Sequence, residues 1–342
     1  MRQRRRLLPR EGWARRAAIG LAACCATVAP ALPGMVPVAA ATEPTPAPTS
    51  TVPTQESTRV AKLGALKKLA AAPHTVFFGS SRAMRVSPGD YQAITGRIGF
   101  NAAVSSGSIV DAYCFAHYIR ERFPGTTQRY VWFLDVEQFR HKTISRVIFA
   151  QPELAKFIPA GFPSPYAGQT LTPAPLPGPV PPEPWGKIDV VDPDGWLRWN
   201  RYDYWRPRGR TLNKGLAYSR YKYKSIYPLG YPRLYGTPKW FMKRTLTLMD
   251  QWGSYPVIVL TPYHPNLHTY ITERGYTKRR RQVWNYLKRL QRSGLDFALL
   301  DMTTIERFGG WKSGFYDGVH MRTTMSRMLL QRVIARTGDL LR

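Results

Sequence analysis

The sequence predicts an α/β fold, a three-layer α/β/α sandwich built on a central five-stranded parallel sheet and carrying a large insertion rich in Pro and aromatic residues. Three observations carry this. Past Pro73, short apolar runs bounded by turn residues and rich in β-branched or aromatic side chains alternate with amphipathic segments of helical length, as in parallel sheets covered by helices on both faces. The runs number five, and each reads as a buried strand. One interval, residues 140 to 238, breaks the alternation. It holds 16 of the 30 Pro, nine Tyr and four Trp, and a stretch of that length without clear elements is rarely an ordinary connection.

The elements follow in chain order. Residues 1 to 16 carry seven Arg and one Glu, and an Ala-rich apolar run follows from Ala17 to Ala41. Residues 1–41 therefore read as a signal peptide or membrane anchor. Ala39 to Ala41 offer an Ala-x-Ala cleavage site, Leu21-Ala22-Ala23-Cys24 is similar to a bacterial lipobox, and an uncleaved anchor is weakened by Pro30, Pro33 and Pro37. Each route makes the chain secreted or extracytoplasmic, anchored or lipid-modified in two of the three cases, and touching membrane only through this segment. Cys24 and Cys25 lie within it, so its removal leaves Cys114 alone, read as a small buried hydrophobe on a helix. Residues 42–73 form a Pro/Thr-rich tether and a lead-in helix. Residues 74–139 are the first part of the main domain, with strands at Val76 to Gly79, Ile98 to Val104 and Tyr130 to Val136 and a helix from Ile109 to Phe123. The insertion occupies 140–238. Residues 239–342 complete the domain, with strands at Val257 to Thr261 and Phe297 to Met302 and helices at Trp240 to Trp252, Thr277 to Ser293 and Met321 to Arg336. The resulting sheet is of flavodoxin-like type, with ligands expected at the carboxyl ends of its strands.

Charge narrows the partner. The chain has 50 Lys plus Arg against 21 Asp plus Glu, a net +29, and +23 remains without the first 16 residues. That excess attracts polyanions. One basic stretch interleaved with aromatics is Arg198 to Lys224, with nine Lys or Arg, including Arg206, Arg208 and Arg210, one acidic residue, Asp203, and Trp199, Tyr202, Tyr204, Trp205, Tyr218, Tyr221 and Tyr223 between them. Cations beside aromatic faces suit sugars and phosphates, while the same composition also describes a solvated basic face over a packed insertion. Export and the lack of a recognition motif argue against nucleic acid.

Two places could do chemistry. Val76-Phe77-Phe78-Gly79 runs into Ser80-Ser81-Arg82, which sets the Ser81 hydroxyl at the ligand edge, with a helix expected to follow and aim its N-terminal amides there. Phe315-Tyr316-Asp317-Gly318-Val319-His320-Met321 follows the last strand, and an Asp three residues before a His can hold one ring nitrogen and leave the other to take a proton. Tyr263-His264-Pro265-Asn266-Leu267-His268 follows the fourth strand. Its Pro and Asn argue for a loop rather than a helical metal site, so His264 is read as lining the cleft and no metal or cofactor is expected. Lys278-Arg279-Arg280-Arg281 reads as a solvated helix face.

Together these residues resemble the SGNH, or GDSL-type, hydrolase superfamily, in the envelope-associated branch with a Gly-Ser-Ser-Arg first block. Gly79-Ser80-Ser81-Arg82 is similar to the first block, Asn101-Ala102-Ala103-Val104-Ser105-Ser106-Gly107 to the second and Asp317-Gly318-Val319-His320 to the last. The third block departs: Leu134-Asp135-Val136-Glu137-Gln138 has no Asn. The resemblance implies Ser81 as nucleophile, His320 as base, Asp317 as its orienter, and the Ser81 and Gly107 amides as the oxyanion hole, with Arg82, Gln138 and His264 binding substrate. It implies an exported serine esterase or O-acyltransferase acting on acyl esters of an anionic or acylated envelope polysaccharide, with a membrane acyl donor as a further partner if the reaction is a transfer. The competing expectation is a non-catalytic carbohydrate- or anionic-polymer-binding protein that keeps the fold.

Overall fold

In a computed structural model, which describes residues 55–162, 190–198 and 211–341, the five long strands form one parallel sheet. They are β1 (Thr75–Gly79), β2 (Gly99–Asn101), β3 (Arg129–Leu134), β6 (Val257–Leu260) and β7 (Ala298–Asp301), in the order β2-β1-β3-β6-β7. Two short strands, β4 (Val190–Val191) and β5 (Leu197–Arg198), make a separate antiparallel hairpin. The signal segment at 1–41, the Pro/Thr tether up to residue 54 and the insertion residues 163–189 and 199–210, with Arg206, Arg208 and Arg210, lie outside the described residues.

Alternation along the strands explains the continuous apolar runs. Val76, Phe78, Tyr130, Trp132, Leu134, Ile258 and Leu260 face one core, while Phe77, Val131, Phe133, Val257 and Val259 face the other. Both faces are buried, so neither parity along a strand is polar. The first core is closed by α1 (Gln55–Lys68), α3 (Ile109–Arg122), α7 (Gly236–Gln251), α8 (Pro265–Thr272) and α9 (Tyr276–Arg292). The second is closed by α2 (Pro88–Thr95) and α10 (Thr323–Thr337), through Tyr91, Met325, Leu329 and Val333. The fold is thus the three-layer α/β/α arrangement that the alternation predicts. Cys114 is fully buried on α3.

The described part of the insertion contributes α4 (Arg146–Phe149), α5 (Pro152–Ala155), the β4–β5 hairpin and α6 (Leu212–Tyr223). The described residues of the insertion fall in the same compact unit as the sheet. Its hairpin turn lies against the edge strand: the Asn101 amide donates to Asp194 O at 2.9 Å, and a side chain at Gly195, which has φ +79°, would collide with the Asn101 carbonyl. An edge strand otherwise exposes unpaired backbone groups. The lead-in helix α1 docks on the same corner through buried Arg59, bidentate to Asp111, and buried Lys62, which donates to Asn101 O at 2.7 Å.

The basic run on α9 is only half solvated. Arg279 is buried with its guanidinium over the Tyr231 ring, and Arg280 is paired with Asp301. A 3.6-residue repeat turns every third or fourth position of a helix toward the core, whatever its charge.

Candidate active site

The site begins with strand register. Gly79 is aligned with Phe133, and Leu134 with Leu260, so the next residues past β1, β3 and β6, namely Ser80, Asp135 and Thr261, stand side by side at the carboxyl edge. They bond to one another: Ser80 Oγ donates to Asp135 Oδ2, and Thr261 Oγ1 donates to Asp135 Oδ1 at 2.6 Å. Arg82 joins them, donating to Thr261 Oγ1 at 3.1 Å and to Glu137, and lying over the Tyr263 ring with 4.4 Å to its centroid. Glu137 also accepts from the hydroxyls of Tyr223, Tyr263 (2.6 Å) and Tyr227 (3.3 Å). Burial opposes charge on Glu137, but Arg82 and the Tyr223 and Tyr263 hydroxyls outweigh it and hold its pKa below the ordinary value. Burial pushes Asp135 up, against the pull of Arg82.

Above this buried layer stands Ser81. Two glycines let its turn form: a Cβ at Gly79 would come within 2.9 Å of Phe133 O, and one at Gly107 would collide with the Gly79 carbonyl. Asn101 Nδ2 holds the turn from below, donating to Ala83 O at 2.9 Å and Val86 O at 2.7 Å. Ser81 is half-buried, and its Oγ lies 2.9 Å from His320 Nε2. On the other side of the ring, His320 Nδ1 is 2.7 Å from Asp317 Oδ2. Asp317 Oδ1 accepts the amides of Val319 (2.8 Å) and His320 (2.9 Å). The loop is closed behind them by Tyr316 N–H donating to His320 O at 2.8 Å and by a bridge between Phe315 and Met321. Burial alone would raise the Asp317 pKa; the His320 charge, its ring hydrogen bond and the two amides outweigh that and hold it at about 2. A carboxylate kept ionised at one ring nitrogen leaves the other placed to take the Ser81 proton.

Several residues stand elsewhere than the sequence suggests. Arg82 does not line a cleft, because its side chain is 3% exposed and its guanidinium is engaged by Glu137, Tyr223 and Thr261. His264 is 2% exposed, caps α8 by accepting the Asn266 amide at Nδ1 (3.1 Å), and packs edge-on to Phe315. Burial, with Lys312 and Arg220 nearby, lowers its pKa to about 4, so it is neutral near pH 7. The Gly107 amide donates to Val104 O at 2.9 Å and points into its own turn rather than toward Ser81. Gln138 Nε2 holds that turn from the far side, donating to Gly107 O at 2.9 Å. The Ser81 amide, by contrast, donates to no acceptor among the described residues. The helix expected right after Ser81 is a series of turns; α2 starts only at Pro88, because Ser87 before a proline is held extended (φ −84°, ψ 122°) and caps the helix instead.

The sequence reading missed Asp135 and Glu137. Two carboxylates at the end of an apolar strand were the available signal, since buried acids need partners. Among the described residues no group of three or more His, Cys, Asp or Glu is arranged to hold a metal. No described helix is long and apolar enough to cross a membrane. No protein-family model matches the chain, and no curated protein matches it. The functional reading therefore rests on the site itself.

Proposed function

We propose that the chain is an exported serine esterase or O-acyltransferase acting on acyl esters of a cell-envelope polysaccharide, an SGNH-type enzyme. The observation that carries this reading is the continuous relay from Ser81 Oγ to His320 Nε2 at 2.9 Å and from His320 Nδ1 to Asp317 at 2.7 Å. In the proposed reaction His320 takes the Ser81 proton as Oγ bonds to the acyl carbon. The Ser81 amide donates to the oxyanion, and His320 returns the proton to the leaving alkoxide as the ester bond breaks. Water, or a sugar hydroxyl, then bonds to the acyl carbon as His320 takes its proton, and the bond from that carbon to Ser81 Oγ breaks as His320 returns the proton to Oγ. Export is supported by the Arg-rich, Ala-rich N-terminal sequence. An anionic glycan is supported by α6 and the residue that ends it, where exposed Lys222 lies over the Tyr218 ring at 5.1 Å and Lys224 over the Tyr221 ring at 5.0 Å.

Purified protein is expected to release p-nitrophenol from its acetate and to be labelled by a fluorophosphonate. Ser81→Ala should abolish labelling and lower kcat by about 10⁴. Equal turnover by the two proteins would sink the assignment. A second reading, a non-catalytic glycan-binding protein, is favoured by one observation: the Gly107 amide is committed to Val104 O, and each missing oxyanion donor costs about 10² to 10³ in rate. Glycan binding without fluorophosphonate labelling would select it.

A further inference from the structure

Helix α6 belongs to the insertion, outside the elements that build the sheet, yet one side of it contacts both the Asp317–His320 loop and the Glu137–Arg82 pair that follows Ser81. Gly215, Ser219 and Tyr223 are spaced four apart and so share a face. Gly215 abuts the acid–base loop: a Cβ there would stand 2.7 Å from Tyr316 O and 2.9 Å from Asp317 Cβ. Glycine is a poor residue for a helix interior, and here the close approach accounts for it. One turn on, Ser219 Oγ accepts the Gly318 N–H at 3.0 Å while donating to Gly215 O at 2.9 Å. The Gly318 carbonyl accepts the His264 N–H at 2.9 Å. The two peptide groups between Asp317 and Val319 are thus pinned from outside the loop, one by α6 and one by the chain leaving β6. A side chain on Gly318 would stand 2.7 Å from Ser219 Cβ, so the fit is close on both sides. At the far end of the stripe Tyr223 donates to Glu137, the carboxylate that holds Arg82 next to Ser81.

We infer that the α6 stripe is a positioning element of the active site, with Ser219 as the residue that sets where Asp317 and His320 stand relative to Ser81. The inference rests on the proposed serine-ester chemistry. Ser219 touches no reacting atom and acts through the Gly318 peptide. Removing its oxygen leaves a buried N–H without an acceptor, and the loop can recover one only by moving, which takes His320 out of line with Ser81 Oγ.

The test compares Ser219→Val with Ser219→Thr, two side chains of the same shape that differ in the hydroxyl. With p-nitrophenyl acetate, Ser219→Val should lose roughly 10- to 100-fold in kcat, the scale of a small misplacement of catalytic groups, with KM for this small ester little changed. Ser219→Thr should recover most of that loss. Gly215→Ala, which improves helix propensity, should still lower kcat, because its methyl meets the loop backbone. Fluorophosphonate labelling of folded protein gives the same comparison independent of turnover, and covers a Val variant that folds poorly. Labelling of Ser219→Val and Gly215→Ala at the wild-type rate would overturn the inference, as would equal losses in the Thr and Val variants. A wild type that neither labels nor turns over ester would instead remove the underlying reading, which is a separate outcome.

Discussion

At Asp317, burial and hydrogen bonding pull in opposite directions, and the outcome fixes how the site responds to acid. Its folded pKa of about 2 lies below the ordinary 3.8, so between those values the unfolded chain binds a proton that the folded chain does not. The stabilisation is complete above about pH 4 and is lost as pH falls through 2, with a ceiling of roughly 2 kcal/mol. Urea unfolding of wild type and Asp317→Asn between pH 6 and 2 should therefore show a gap that closes toward the acid end; a gap that stays constant would mean the charge is not the stabilising feature. Glu137 presents the opposite hazard. Glu137→Gln leaves the Arg82 side chain, 3% exposed, short of a counter-charge, and breaking a buried pair from one side costs about 3–5 kcal/mol. Adding Arg82→Met to that variant should recover part of the loss in urea midpoint, since the charge left unpaired is then gone as well.

Helix α1 reaches the sheet edge through Lys62, whose ammonium donates to the Asn101 carbonyl and side chain and to Gly195 O. Burial pushes its pKa down to about 7 against the attraction of Asp194 and Asp192. Between pH 7 and about 10.5 the unfolded chain holds a proton that the folded chain has released, so stability should rise with pH across that window. Melting wild type and Lys62→Met at pH 7 and pH 9 tests this: wild type should gain relative to the variant, and parallel changes would show that Lys62 stays charged when docked. Elements of this kind also mark what the sequence discloses. The strands were legible because burial on both faces leaves a continuous apolar run, and the Ser81 and Asp317–His320 turns because they follow such runs. The role of Arg82 was not legible, since its partners Glu137 and Tyr223 lie 55 and 141 positions away and no local pattern says whether an Arg after a strand faces core or solvent. Nor was the α6 stripe, because Gly215 and Ser219 look like helix-weakening residues until the loop they meet is known.

For the whole chain, the +29 net charge is what remains after each of the 21 acidic residues has cancelled one of the 50 basic ones, so internal ion pairs cannot neutralise it, and α6 is where this bears on the site. Lys214, Lys222 and Lys224 are exposed, and none has a carboxylate within ion-pair distance among the described residues. Beside them Tyr218 and Tyr221 are 53% and 67% exposed, on the helix that also packs on the Asp317 loop. A polymer lying along these residues would be held by ring contacts and by charges that act within a Debye length of about 8 Å at physiological salt, on the helix that contacts the loop carrying His320. Replacing Lys214, Lys222 and Lys224 by Gln should therefore weaken binding of an anionic glycan or teichoic polymer at low salt, and the difference from wild type should shrink as salt is raised. Tyr218→Ala with Tyr221→Ala should weaken binding by an amount that salt changes little, because stacking on a ring face is not screened in the same way. Turnover of p-nitrophenyl acetate should be unchanged in both variants, since neither alters Gly215, Ser219 or Tyr223. Equal polymer binding by wild type and the triple Lys variant at low salt would assign these residues to solvation alone and move the search for the polyanion to other basic surfaces of the chain.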